Sequence, residues 1–174
     1  MKSVRALLTM AFALTLMAGS ATAQDQVVFV VRHAERAAVA ANQPPSRGMM
    51  GEDPPLSAAG QERARRLASM LASAGIKHIF TTEYQRTRQT AAPLAERVNV
   101  KPVMGAAKDP QPFIEQIRKA SGNVVIVGHS NTIPDLLKGL GVSQAITIPD
   151  SEYDNLFVVV RHGPGEPTLI RLRY

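Results

Sequence analysis

The feature that most constrains the fold is an apolar run that ends in an arginine and a histidine. Residues 27–31 are apolar and mostly β-branched, which predicts a buried strand. Arg32 and His33 follow directly, so we expect them at the carboxyl end of this strand, where open α/β sheets bind ligands. An imidazole can act as a nucleophile, an acid or base, or a metal ligand, and a guanidinium is suited to phosphate. The run therefore predicts a ligand-binding edge around His33.

Strand and helix patterns alternate along the rest of the chain. Apolar runs predict further strands at residues 76–82, 100–104 and 123–127, and a C-terminal hairpin at residues 156–161 and 168–172. Helical spacing predicts helices at residues 57–75, with Ser57 as N-cap, at 84–98, at 109–120, and from residue 131 to about 140. This order predicts an α/β fold: a three-layer sandwich with a central, mostly parallel sheet, helices on both faces and a C-terminal antiparallel hairpin. The long polar loop at residues 37–55 is expected to form a rim or lid.

The first 23 residues have the pattern of a secretory signal peptide. Lys2 and Arg5 precede an apolar run at residues 6–18, and Ala21-Thr22-Ala23 fits a small-residue cleavage site. The run is short for a membrane span of about 20 apolar residues, so we expect cleavage rather than an uncleaved anchor. One domain over residues 24–174 would remain, exported to the periplasm. The chain has no cysteine, so no disulfide supports it and its core must hold the fold.

The net charge favours a small anionic ligand over nucleic acid. The formal charge of +6 falls to +4 when the two positive charges of the signal peptide are removed. The basic residues are spread over the predicted helices, and aromatic residues make up only 5% of the chain, whereas nucleic-acid binding favours a basic stripe with aromatic side chains. We expect a small phosphorylated substrate or a phosphoprotein as partner, and no stable membrane insertion after cleavage. The oligomeric state is left open.

Two later segments supply groups that could meet the Arg32–His33 pair. Arg86 falls in the first turn of a helix that follows a strand, and helix N-termini attract anions. His129 and Ser130 follow the predicted strand at residues 123–127. Phosphoryl transfer needs positive charge around the phosphate and an in-line nucleophile. His33 would attack phosphorus, His129 would stabilise the transferring group, and water would then cleave the phosphohistidine.

These segments resemble the motifs of the histidine phosphatase superfamily, the phosphoglycerate-mutase-like group, and in particular its small branch that includes phosphohistidine phosphatases. The resemblance is carried by Arg32-His33-Ala34-Glu35, by Arg86-Thr87-Arg88-Gln89-Thr90-Ala91 and by Gly128-His129-Ser130, in that order, with Asp53-Pro54-Pro55-Leu56-Ser57-Ala58-Ala59-Gly60 similar to the family's loop-to-helix segment. Ala34 stands where the commonest family pattern has glycine. The match covers nearly all of residues 24–174.

The resemblance implies a metal-independent phosphatase with no cofactor, acting on phosphomonoesters or phosphoramidates. It implies that His33 is phosphorylated and that Arg32, Arg86 and His129 form the phosphate pocket. Ser130 is a further candidate for substrate binding, and Arg36 either reaches the phosphate or faces water. The family's carboxylate proton donor has no secure match: the candidates are Asp109, Glu83 or none. Without a donor, substrates with good leaving groups would be favoured.

Two other functions fit parts of the sequence. A serine hydrolase could use Ser130 in a turn that nearly fits the G-x-S-x-G elbow, with Asp150 or Asp154 and then His162 in chain order. A non-catalytic protein could bind phosphorylated ligands in the same pocket. A second arginine–histidine pair at residues 161–162 matches the family signature letter by letter, but turn residues follow it, which predicts a hairpin tip rather than a site.

Overall fold

The predicted alternation of strands and helices is present in the structure, a computed structural model that describes residues 25–38, 53–163 and 165–174. These residues contain the strands β1 (Gln26–Arg32), β2 (Ile76–Thr82), β3 (Val103–Gly105), β4 (Asn123–Gly128), β5 (Asn155–Arg161) and β6 (Thr168–Arg173). They also contain the helices α1 (Ala58–Leu71), α2 (Gln85–Val98), α3 (Gln111–Lys119) and α4 (Ile133–Gly139). The predicted signal peptide and most of the predicted loop, residues 39–52, lie outside the described residues.

The six strands form one sheet in the order β3-β2-β4-β1-β5-β6. Strands β3, β2, β4 and β1 are parallel to one another, and β5 and β6 are antiparallel to their neighbours. Strand β1 is central, which is why its apolar residues are buried: Val28, Val30 and Val31 have no exposed surface. The predicted fold class is confirmed, including the mostly parallel sheet and the C-terminal hairpin.

Helices cover both faces of this sheet. Helices α1 and α2 pack on one face, where Leu67, Leu71 and Leu94 contact Val31 and the residues of the neighbouring strands that face these helices. Helices α3 and α4 pack on the other face, where Phe113, Ile114, Ile117, Leu136 and Leu137 meet Val28, Val30 and Phe157. The parallel strands β1 and β4 are adjacent, yet the helices that follow them lie on opposite faces. A crevice forms at the carboxyl ends of two such strands, and ligands bind there in open α/β sheets.

Some boundaries differ from the sequence-based prediction. The third strand was expected at residues 100–104, but β3 begins at Val103 because Asn99 adopts a left-handed conformation (φ 54°) that ends α2, and Val100 then packs into the core beside that helix. Helix α3 begins at Gln111, since the Asp109 side chain accepts a hydrogen bond from the Gln111 amide (3.1 Å). Among the described helices, none is long and apolar enough to cross a membrane.

Candidate active site

The two histidines meet at the carboxyl ends of β1 and β4. Arg32 is in register with Gly128, and the His33 amide donates to the Gly128 carbonyl (2.9 Å). The residues that follow these strands are therefore side by side, and the ring centroids of His33 and His129 lie 5.3 Å apart. Both side chains are buried, with 5% and 6% of the residue exposed. Strand pairing alone thus places two imidazoles in one pocket.

The His33 ring is held in one tautomer. Its Nδ1 lies 2.8 Å from the Ala34 carbonyl oxygen, and a carbonyl can only accept, so Nδ1 carries the proton. Burial lowers the pKa of His33 to about 4; the bond to Ala34 opposes this, and the charges of Arg86, Arg32 and Arg36 lower it further. At neutral pH the ring is uncharged and Nε2, which bonds to no described residue, holds a free lone pair. These are the properties of a nucleophile.

The His129 ring is anchored by a chain of hydroxyl groups. Its Nε2 lies 3.0 Å from the Thr82 hydroxyl, which lies 2.9 Å from the Thr87 hydroxyl. The Thr87 hydroxyl donates to the Tyr84 carbonyl (2.8 Å), so it accepts from Thr82, and Thr82 accepts from His129. The proton of neutral His129 is therefore on Nε2. Burial first, then the charges of Arg86, His33 and Arg32, lower the pKa of His129 to about 3.

The Arg32 side chain is buried beneath the loop that precedes β5. One terminal nitrogen, Nη1, donates to the carbonyls of Pro149 (3.2 Å), Asp150 (2.8 Å) and Glu152 (3.0 Å), and the guanidinium stacks on the Tyr153 ring at 4.0 Å. Its Nε is buried without a hydrogen-bond partner among the described residues. A buried donor without a partner costs free energy.

Arg86 lies in the first turn of α2, on the other side of the histidine pair from Arg32. Its Nη1 lies 3.3 Å from Oδ1 of Asp53, and its guanidinium stacks on the Tyr84 ring at 4.0 Å. Burial lowers the pKa of Arg86, and the Asp53 carboxylate opposes that effect. The Tyr84 ring also meets His129 edge-on, with centroids 5.3 Å apart. An arginine–tyrosine stack therefore stands on each side of the histidine pair.

The other predicted site residues have different surroundings. Arg36 is exposed and joins Leu56 through a backbone bridge, while its charge still acts on His33. The Glu83 carboxylate accepts from the Ala107 amide (2.7 Å). Asp109 lies exposed at the start of α3, where its carboxylate caps the helix. Neither candidate for the proton donor bonds to a histidine of the pocket.

The geometry excludes the serine-hydrolase triad that the sequence allowed. The Ser130 hydroxyl donates to Asp150 Oδ1 (2.9 Å) rather than to an imidazole. His162 follows β5, which runs antiparallel to β1 and β4, so it lies at the opposite edge of the sheet from Ser130. There its Nδ1 lies 3.0 Å from Asp25 Oδ1. Among the described residues, Ser130 therefore bonds to no imidazole that could serve as the base of a serine triad.

Four residues of the pocket were not singled out from the sequence: Asp53, Thr82, Tyr84 and Tyr153. Thr82 and Tyr84 could have been found, since Thr82 ends β2 and Tyr84 follows two residues later, at the carboxyl edge that holds His33. Tyr153 precedes a strand that is antiparallel to β1, and the start of such a strand reaches the same edge. The role of Asp53 depends on a contact across 32 residues of sequence, for which no local pattern exists. Within the described segments, no three His, Cys, Asp or Glu side chains are placed to hold a metal ion.

Part of the chain is similar in sequence to known proteins. Residues 28–107 match the family model of the histidine phosphatase superfamily (branch 1). The protein named "Probable phosphoglycerate mutase GpmB" from Yersinia enterocolitica is 40% identical over 77 residues, which are 44% of this chain and 34% of that protein. A protein of the same name from Serratia proteamaculans is 40% identical over 70 residues, 40% of this chain and 30% of its own length. The match thus spans about a third of these curated relatives.

Solved structures share the fold over nearly their whole length. The protein histidine phosphatase SixA in complex with tungstate has a TM-score of 0.61 and 18% identity, covering 84% of this chain and 96% of that one. A mycobacterial glucosyl-3-phosphoglycerate phosphatase in complex with VO3 has a TM-score of 0.62 and 13% identity, covering 85% and 98%. At these identities the likeness concerns the fold alone.

Proposed function

Because the chain belongs to the histidine phosphatase superfamily, we propose that it is a metal-independent phosphatase that works through a phosphohistidine on His33. The observation that carries this proposal is the state of the His33 ring. Its Nδ1 proton is fixed on the Ala34 carbonyl (2.8 Å) and its Nε2 lone pair is free. The second imidazole and two arginines stand around that lone pair.

In the first step, Nε2 of His33 attacks phosphorus while the bond to the leaving group breaks in line with the attack. The charge on the three equatorial oxygens is stabilised by Arg32 and Arg86, which are already in place and need no reorganisation. The leaving group departs with the electron pair of the broken bond. In the second step, water attacks phosphorus on the opposite side, inorganic phosphate leaves, and His33 recovers its lone pair.

The substrate class follows from what the pocket offers the leaving group. At neutral pH the two imidazoles are uncharged, so neither would protonate a departing oxygen strongly. This favours aryl phosphates, whose phenolate leaves without a proton, and phosphoramidates, whose basic nitrogen can take its proton from water before it leaves. The tungstate and vanadate in the structural relatives support a pocket for a tetrahedral or trigonal oxyanion. A phosphoprotein or a small phosphorylated metabolite would present the same group.

The test is a phosphatase assay with chelator-treated protein and an aryl phosphate. We expect turnover without added metal, inhibition by vanadate, and a phosphorylated peptide that contains His33 after rapid quenching at alkaline pH. Ser130→Ala should keep measurable activity. Loss of activity on chelation that a divalent ion restores would contradict the proposal, and tight phosphate binding without turnover would instead identify a phospho-ligand-binding protein.

The curated relatives carry the name of a mutase, so the fate of the phosphoryl group must also be measured. A phosphatase releases inorganic phosphate from every turnover, whereas a mutase returns the phosphoryl group to the substrate skeleton. We expect release of inorganic phosphate in a one-to-one ratio with product alcohol, phenol or amine. Isomerised phosphoglycerate in place of free phosphate would assign the chain to the mutases.

A further inference from the structure

A carboxylate occupies the positively polarised end of helix α2, within the pocket that should bind an anion. Both oxygens of Asp53 accept hydrogen bonds from the Gln85 amide, at 3.0 and 2.7 Å, where α2 begins. One of them, Oδ1, also lies 3.3 Å from Nη1 of Arg86. Asp53 therefore contacts the first two residues of the helix, and one of these carries the phosphate-binding guanidinium.

The Arg86 side chain has few other constraints on its direction. Its guanidinium is held from one face by the Tyr84 ring (4.0 Å) and at one nitrogen by Asp53. It is largely buried, with 13% of the side chain exposed, and the positive charge of Arg36 repels it. An arginine has many rotamers, and ordering a free one on binding costs free energy. The carboxylate fixes Nη1 and leaves the remaining N–H groups for substrate.

The segment that carries Asp53 is itself fixed to the nucleophile's side of the pocket. The Ala37 amide donates to the Pro55 carbonyl (2.8 Å), and the Ser57 amide donates to the Glu35 carbonyl (2.9 Å). On its other side, the Leu56 amide donates to the Gln89 side chain in α2 (2.7 Å). Residues 53–57 thus connect the chain just after His33 with the helix that bears Arg86.

We propose that Asp53 is a positioning residue that holds Arg86 in the direction required to bind the phosphoryl group. This inference rests on the proposed function, because it assigns the role through Arg86. A competing effect changes substrate binding in the opposite direction, because the negative charge of Asp53 repels an anionic substrate and so weakens its binding. If repulsion were the larger effect, removal of the charge would tighten substrate binding; if orientation is larger, removal weakens it.

The experiment compares Asp53→Asn and Asp53→Ala with wild type, using an aryl phosphate for kinetics and vanadate as the probe of the pocket. The asparagine keeps an oxygen that can accept from the Gln85 amide but removes the charge next to Arg86. We expect KM and the vanadate inhibition constant to rise about fivefold or more in Asp53→Asn and further in Asp53→Ala. In an Arg86→Ala background, Asp53→Asn should have no additional effect, since coupled residues are not additive.

Ser57→Ala is the matched control, because it also removes a helix cap, the Ser57 hydroxyl that accepts from the Gly60 amide (3.1 Å). It should lower the melting temperature with KM unchanged. The inference is overturned if Asp53→Asn binds vanadate as well as wild type or better, or if its effect persists without Arg86. Wild-type protein that neither hydrolyses aryl phosphates nor binds vanadate would overturn the proposed function itself.

Discussion

The dipeptide Arg-His occurs twice in this chain, and the two copies lie at opposite edges of the sheet. His33 follows β1 at the carboxyl edge, next to His129 and within the fields of three arginines. His162 follows β5 at the other edge, where it is exposed and its Nδ1 lies 3.0 Å from Asp25. Surroundings rather than local sequence therefore decide which imidazole can act on phosphate.

His33→Ala should lower kcat/KM by at least ~10³-fold, or about 4 kcal/mol of transition-state stabilisation, because the nucleophile is gone. His162→Ala should stay within about threefold of wild type. The measurement is steady-state hydrolysis of an aryl phosphate, with phosphopeptide mapping of the quenched enzyme. Phosphate found on residue 162 would refute the assignment of the whole site.

The lowered pKa values of the two pocket histidines make stability depend on pH in a defined direction. In the unfolded chain a histidine titrates near pH 6.5, whereas folded His33 and His129 titrate near 4 and 3. Between these values the unfolded state binds more protons, so the free energy of unfolding falls as pH is lowered from about 6.5 towards 4. Above 6.5 both histidines are neutral in either state and their contribution is complete.

His33→Asn should therefore flatten this dependence, because asparagine does not titrate. Urea unfolding at several pH values between 7.5 and 4.5 would measure the slope. The wild-type protein, measured under the same conditions, is the reference for this slope. Equal slopes in the variant and the wild type would mean that the buried imidazole is not held neutral by the fold.

At the scale of elements, the first turn of α1 fixes the backbone just after His33. A Cβ on Gly60 would lie 2.1 Å from the Glu35 carbonyl oxygen, which is backbone and cannot rotate away. The Glu35 side chain is also held, by hydrogen bonds from the Arg63 guanidinium at 2.7–3.0 Å. Helix α1 and the chain after His33 are therefore in direct contact, and glycine is the residue that permits it.

Gly60→Ala should lower both stability and activity, although alanine is favoured over glycine in a helix by about 1 kcal/mol. The clash must move α1 or Glu35, and a shift of Glu35 is transmitted over two residues to His33. We expect a lower melting temperature and a kcat/KM reduced at least tenfold. Gln61→Ala, at an exposed neighbouring position of the same helix, should change neither quantity substantially; a stabilised, fully active Gly60→Ala would contradict this account.

The elements themselves were largely predictable, and the contacts between them were not. Apolar runs predicted β1, β2, β4 and β5, which are largely buried, whereas the mostly exposed β6 was predicted from the turn residues that precede it. The short edge strand β3 was placed three residues early, since its exposed Val103 and Met104 carry little pattern. The contact between Asp53 and Arg86 depends on how a loop crosses the start of a helix, which periodicity does not encode.

At the scale of the whole molecule, the pocket needs both the parallel and the antiparallel part of the sheet. The parallel strands supply His33 and His129 at their carboxyl ends, and α2 supplies Arg86. The loop before the antiparallel strand β5 supplies three carbonyls and the Tyr153 ring that hold Arg32. A piece of the chain that ended before Pro149 would retain both histidines and lose the groups that hold Arg32.

The first described strand begins close to the cleavage site that the sequence predicts. Strand β1 starts at Gln26, three residues after the proposed cleavage site. The Gln26 side chain is buried, and its amide nitrogen lies 2.9–3.3 Å from the carbonyl oxygens of Ile117, Ala120 and Gly122 at the end of α3. Its carbonyl oxygen accepts from Arg161 (2.6 Å). Cleavage after Ala23 would leave all these contacts intact.

We therefore expect the full chain, produced in a Gram-negative host, to accumulate in the periplasm with the intact mass of residues 24–174. This mature protein should be active in the phosphatase assay, because the pocket residues named above all lie between Arg32 and Tyr153. Removal of three further residues, 24–26, should lower the free energy of unfolding by about 1–3 kcal/mol, since buried carbonyls lose their donor. Gln26→Ala in the mature protein removes the hydrogen bonds of this side chain without shortening the chain, so it measures their contribution alone. A cytoplasmic protein that retains residues 1–23, or a 27–174 fragment as stable as the mature protein, would show that the boundary between leader and fold lies elsewhere.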